Sequence, residues 1–243
     1  MVLCRTQQGS LPAVFVKLPW ANCPVEGLAR EIICNLLAAD LGLPVPQAVF
    51  VEYDDAFMDA LEEGGPVQRT YARRFRLAGR PAFGTIELSP DFLECGPLSL
   101  CPIVSLAETW AFDRLILNGD RRTQKPNSLT NGERIVLIDH EKALNCTLIG
   151  RLEEPPWSGD ALQRVEAAAP HLFQGRFARR DTDLTRLHEA WRNVGPIDIA
   201  RYRAAIPASW AVNPQMLDET FAYLDALSKN IDSAFEKLYE VLP

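Results

Sequence analysis

Two polar clusters hold the residues of this chain whose types and spacing could do chemistry. The first is Asn118-Gly-Asp-Arg-Arg-Thr-Gln-Lys-Pro-Asn127, entered from the apolar stretch Leu115-Ile-Leu117. The second is Ile138-Asp-His-Glu141, reached along Arg134-Ile-Val-Leu137. Asp120 and Asn127 fall in a polar loop after a helix end, and Asp139 leaves a β-branched strand, so three oxygen-bearing side chains converge from adjacent segments. That order suits phosphoryl transfer. One carboxylate orients or deprotonates an acceptor hydroxyl, and an amide and a second carboxylate hold Mg²⁺ on the phosphates. Taken singly, Asp, Asn and Gly between a helix and a strand are ordinary turn formers, and only the ordered set carries information.

The same chemistry asks for a cation on the phosphates and a carboxylate to steady it. Ala13-Val-Phe-Val-Lys17 alternates as a strand does, after the turn Gln7-Gln-Gly-Ser-Leu-Pro12. Gly9 and Ser10 would cover phosphates with backbone N–H groups, and Lys17 would supply the point charge. Glu31 lies mid-helix beside an apolar stripe, where it would pair with Lys17 and hold it in place. On its own, each is as well explained by solvation at a surface.

The elements that must position these groups are readable from periodicity. A helix opens at Asn22, with Pro24 in its first turn, and presents Leu28, Ile32, Leu36 and Ala39 on one face until Gly42 and Pro44 stop it. A strand, Ala48-Val-Phe-Val-Glu52, follows, then a short helix over 54–63. Val67 to Leu77 reads as a further strand whose end would form an adenine-reading hinge, with Arg69, Arg73, Arg74 and Arg76 either binding anions or guarding an edge. The boundary between a sheet-bearing part and a helical part then falls at residue 79. From Val104 a helix with Leu106, Trp110, Phe112, Leu115 and Ile116 as core leads into the Asp120 loop, and Asp113-Arg114 reads as a local pair. Helices are expected at 158–168, 181–194, 197–205 and 214–241, the last one continuous and amphipathic.

Composition narrows the class. A chain of 243 residues with 47% hydrophobic residues can build a sizeable core as one domain or two small lobes. The formal net charge of −7 argues against nucleic acid as a direct partner, and no apolar run approaches a membrane span, so a cytosolic protein is expected. The six cysteines show no paired spacing for zinc or disulfides. His140 belongs to the second cluster, whereas His171 and His188 read as structural or surface residues.

Asn118, Asp120 and Arg121, followed by Ile138, Asp139 and His140, resemble the Asn-x-Asp-Arg loop and Ile-Asp-His motif of the HipA-like serine/threonine kinases. Helix, Leu41-Gly-Leu-Pro-Val-Pro46, strand resembles their N-terminal part. The resemblance implies an α+β, bilobal, protein-kinase-like fold with a small sheet-containing lobe (1–79) and a mainly helical lobe (80–243). It implies ATP- and Mg²⁺-dependent transfer to protein serine or threonine. Asp120 and Arg121 would act at the reacting centre with Lys17 and Glu31, Asn127 and Asp139 would bind metal, and Gly9, Ser10, Lys17 and Lys125 would face the nucleotide. Some members are toxins, so an antitoxin-type protein partner is expected. Lys125 departs from the family, standing five residues after Asp120 where an asparagine is usual. That departure keeps open a pseudokinase that binds nucleotide without transfer; a lipid kinase is disfavoured by the absence of a basic amphipathic face.

Overall fold

The computed structural model describes residues 1–6, 9, 12–19, 24–145, 155–168 and 170–242. The expected cap Asn22 and the expected phosphate-loop residue Ser10 lie outside them, as do Cys23 and Cys146. An antiparallel sheet near the N-terminus is followed by a mostly helical remainder, an α+β arrangement compatible with a kinase-like fold.

The sheet runs β1 (Val2–Leu3), β2 (Ala13–Lys17), β4 (Ala82–Ile86), β3 (Ala48–Val51) in spatial order. Directly opposed residues of an antiparallel pair share a face. Lys17 is paired with Phe83, and Phe83 with Phe50, so all three point one way, toward helix α1 (Val25–Asp40). On that side Phe83 packs with Leu28, Ala29 and Ile32 of α1 and with Trp210 and Val212 from late in the chain. Trp210 Nε1 also donates to Pro81 O at 2.7 Å. The opposite face, with Val16, Val51 and Ala82, receives Met58, Ala72 and Phe75. At the middle of β4 the backbone lies so close to β2 that a Cβ on Gly84 would stand 2.6 Å from Val14 Cγ1.

The segment expected as a hinge strand at 67–77 is a helix, α3 (Pro66–Ala78), packed beside the short α2 (Asp55–Glu63). Val67, Thr70, Tyr71 and Phe75 favour strands by type, but the arginines, alanines, Gln68 and Leu77 favour helix, and Ala72, Phe75 and Ala78 recur every third position as its buried residues. Pro66 in the first turn and Gly79 after the last define its ends. A division at residue 79 would also separate β4 from the sheet it joins, so the sheet-bearing part runs on to Ile86. The arginines of this segment therefore line a helix, with Arg76 paired to Glu62.

α1 ends where Gly42, at φ +69, lets Leu43 N–H return to Ala38 O. After it, Leu137 N–H donates to Pro44 O at 2.8 Å, tying the second sheet to this turn. That second sheet is β5 (Leu93–Glu94), β6 (Ser128–Thr130) and β7 (Ile135–Leu137). Helix α4 (Ile103–Leu115) is buried on all sides over its last ten residues, and it is the centre of the main core. Around it pack α5 (Ala161–Ala168), α6 (Thr185–Arg192), α7 (Pro196–Ala204), α8 (Pro214–Lys229) and α9 (Ile231–Val241). The helix expected to run unbroken over 214–241 is interrupted at Asn230, which closes α8 and opens α9. No helix among the described residues is long and apolar enough to cross a membrane.

Candidate active site

The site is built where α1, β2, the loop after α4 and the end of β7 meet. Lys17, the last residue of β2, has its Nζ 3.0 Å from Glu31 Oε1 and 2.8 Å from Asp139 Oδ1. Burial would lower its pKa, but the two carboxylates win and raise it well above the usual lysine range. Lys17 is therefore a fixed cation. Glu31 is itself 2% exposed and its second oxygen accepts the backbone N–H of His140, so one helical glutamate steadies both Lys17 and the residue after Asp139. Asp139 is partly exposed; burial raises its pKa, Lys17 outweighs that, and the carboxyl sits below its ordinary value.

The loop after α4 is held from beneath. Leu117, at φ +55, turns the chain, and Asn118 N–H returns to Asp113 O at 2.8 Å. Asn118 Nδ2 donates to Asp113 Oδ1 at 2.9 Å, and its Oδ1 accepts from Asp120 N–H at 3.1 Å. Arg121 is fully buried; its Nε donates to Asp113 Oδ2, its Nη2 to Asp113 Oδ1, and its Nη1 to Asn127 O. His171 Nε2 completes the group at 2.8 Å from Asp113 Oδ2. Since Phe173 N–H donates to His171 Nδ1, the proton is on Nε2, facing Asp113. Burial raises the Asp113 pKa, yet Arg121 and His171 hold the carboxyl far below the usual range. Asp113 thus pairs with Arg121, not with its neighbour Arg114 as the sequence suggests. Neither Asp113 nor His171 carries a functional signal in the sequence, because their partners lie 5, 8 and 58 residues away.

Asn127 O, already bonded to Arg121, also accepts Ile138 N–H at 3.1 Å, which fixes the strand end that delivers Asp139. Arg121 Nη2 lies 3.3 Å from His140 Nε2, making that nitrogen an acceptor and placing the proton on Nδ1, which is buried without a partner among the described residues. Burial lowers the His140 pKa to about 4 and keeps it neutral. Four non-glycine residues around the site are left-handed: Leu117, Asn127, Asp139 and Leu144, at φ of 55, 45, 62 and 49.

Asp120 stands above this base with its side chain 10% exposed. Arg122 Nη2 lies 3.0 Å from its Oδ1 and Lys125 Nζ 3.1 Å from its Oδ2. The bond to Asp120 raises the Lys125 pKa, and Asp139 and Glu141 add to it, so Lys125 feels both carboxylates. The structure therefore brings together Lys17, Glu31 and Asp139 in direct contact, with Asp120, Arg121 and Lys125 joined to them through the loop. Among the described residues the buried Nδ2 of Asn127 has no hydrogen-bond partner. Gly9 sits in the loop between β1 and β2, where its N–H donates to Thr6 O at 2.9 Å.

Among the described residues no group of three His, Cys, Asp or Glu forms a metal cage. The residues expected to bind metal, Asp139 and Asn127, are a carboxylate and an amide, oxygen-donor types that suit Mg²⁺ where phosphates supply the remaining ligands. A cavity of about 890 Å³ opens on the other face of the sheet, against Val14, Val49, Phe57 and Phe75, and none of the site residues lines it. A family model described as HipA-like kinase matches residues 2–238. No similar protein was found among curated proteins.

Proposed function

Because the chain belongs to the HipA-like kinase family, we propose that it transfers the γ-phosphate of ATP, with Mg²⁺, to a serine or threonine hydroxyl of a protein. One observation carries this reading: Lys17 bridges Glu31 and Asp139 across three separate elements, at 3.0 and 2.8 Å. A lysine ending a strand has no need of two carboxylates for stability, whereas a phosphate-holding lysine needs one to fix it and a metal-binding one beside it.

The residues divide the work as follows. Lys17 holds phosphate oxygens, and Glu31 keeps it from swinging away. Asp139, with Asn127 beside it, holds the metal, whose contribution is to neutralise charge on the phosphoryl oxygens. Asp120 orients the acceptor hydroxyl and takes up its proton. Arg121 keeps Asp120 and Asn127 in register from below. Lys125 adds positive charge at the phosphates. A protein acceptor and an antitoxin-type partner belong to the same proposal.

A second reading, a nucleotide-binding pseudokinase, is favoured by Asp120 having both oxygens engaged by Arg122 and Lys125. Labelled ATP and Mg²⁺ separate the two. Transfer of label to the protein itself or to a serine peptide, lost in Asp120→Asn, supports the kinase; ATP-dependent thermal stabilisation without transfer supports the pseudokinase. Neither stabilisation nor transfer, from folded protein, removes both.

A further inference from the structure

Asp120 can accept a substrate hydroxyl only on an oxygen that a cation now holds. Arg122 Nη2 is on Oδ1 at 3.0 Å and Lys125 Nζ on Oδ2 at 3.1 Å. The two cations are set opposite each other by a tight turn, in which Arg122 N–H donates to Lys125 O and Lys125 N–H to Arg122 O, each at 2.9 Å. Their side chains are 51% exposed, while that of Asp120 is 10% exposed. Such half-exposed pairs contribute little, so an arriving hydroxyl displaces one readily. The two cations differ in what they would do next. Lys125 remains attracted to Asp139 and Glu141. Arg122, in contrast, has Asp120 as its salt-bridge partner among the described residues, and once displaced its charge stands beside the reacting hydroxyl.

We propose that Arg122 determines specificity by receiving an acidic side chain next to the acceptor serine or threonine, so that the preferred substrates are acidic peptide segments. The proposal rests on the phosphoryl-transfer reading above and names its substrate class. A guanidinium presents a planar fork matched to a carboxylate, and it would exchange one carboxylate for another at nearly constant energy. A neutral acceptor leaves the displaced guanidinium without a partner. The chain as a whole carries a formal charge of −7 and repels acidic peptides, so a preference for them must arise from local cations.

The test uses two fluorescently labelled serine peptides that differ only in Asp or Asn on either side of the serine. Transfer (kcat/KM with ATP and Mg²⁺) is measured on both. Binding of both is also measured without nucleotide, by fluorescence anisotropy. The parent is expected to favour the Asp peptide about five-fold in each measurement. Arg122→Gln should bring both ratios to about one, Arg122→Lys should keep part of the preference, and Arg73→Gln, on α3 across the sheet, should leave it in place. Equal use of the two peptides by the parent, or a ratio unchanged in Arg122→Gln, overturns the proposal while leaving phosphoryl transfer intact. If neither peptide is phosphorylated, transfer itself fails and the anisotropy ratio alone decides, equal binding being the overturning result. Loss of ATP affinity in Arg122→Gln with the ratio preserved assigns the cation to the nucleotide and also overturns it.

Discussion

Replacing Asp113 by asparagine tests whether this carboxylate holds the Asp120 loop from below. It accepts from Arg121 Nε, Arg121 Nη2, Asn118 Nδ2 and His171 Nε2, and both it and the Arg121 guanidinium are inaccessible to solvent. Asparagine keeps the shape, removes the charge, and turns an amide NH₂ toward donors. Breaking a buried pair on one side strands the other charge, which costs about 3–5 kcal/mol. Set against a total stability of about 5–15 kcal/mol for a domain, that is a large fraction. Urea unfolding should show the loss as a lower midpoint at unchanged slope. In an Arg121→Met background, which has no cation to strand, Asp113→Asn should cost about 1 kcal/mol or less, so the double-mutant cycle should be strongly non-additive. A loss under about 1 kcal/mol for Asp113→Asn alone, or additive losses, would refute the view that this carboxylate neutralises Arg121.

Lys17→Ala should abolish transfer and ATP-dependent thermal stabilisation and should also destabilise the fold, since it strands the buried Glu31 carboxylate, whereas Glu31→Ala removes that charge and should cost less, about 1–3 kcal/mol, by orphaning the His140 N–H. Thermal shift and a phosphotransfer assay together check this, and equal stability of the two variants would count against it. Asp139→Asn should weaken Mg²⁺-dependent ATP binding as well as transfer; Asp120→Asn should spare ATP binding, as measured by titration calorimetry. Acid should weaken the fold before ordinary carboxylates titrate. His140 is kept neutral with a pKa of about 4 against an ordinary 6.5, so the unfolded chain takes up a proton that the folded one refuses. Stability should be complete above pH about 6.5 and fall as pH drops toward 4, by about 3 kcal/mol at the limit; urea midpoints across that range, flattened in His140→Phe, are the measurement.

The proximity of Lys17, Glu31 and Asp139 was legible because these residues stand in local order on their elements. Asp120, Asn127 and Asp139 are spaced along one loop and one strand, and the 3.6-residue stripe of α1 puts Glu31 on the helix that Lys17 faces. The hinge strand at 67–77 failed for a physical reason: β-favouring side chains such as Val67, Thr70 and Tyr71 are exposed on α3, while the buried residues at 72, 75 and 78 set its period. The single helix over 214–241 failed at Asn230, where an unbroken apolar pattern conceals a change of helix. Asp113 and His171 were invisible for another reason. A buried carboxylate and a lone histidine acquire meaning only through each other and Arg121, across a sequence separation that no local pattern spans.

The left-handed leucines beside the site have a genetic consequence. Leu117 and Leu144 adopt φ of 55 and 49, a conformation that costs a residue with a Cβ about 1–2 kcal/mol and that glycine takes freely. Both are nonetheless buried in the main core, Leu144 fully, and deleting such a side chain costs about 2–5 kcal/mol. Burial outweighs backbone strain, so the core pins the chain in its left-handed form and glycine is no improvement at either position. A random screen for inactive variants should accordingly return small or polar substitutions at Leu117 and Leu144 alongside the carboxylates, in residues that never touch a substrate.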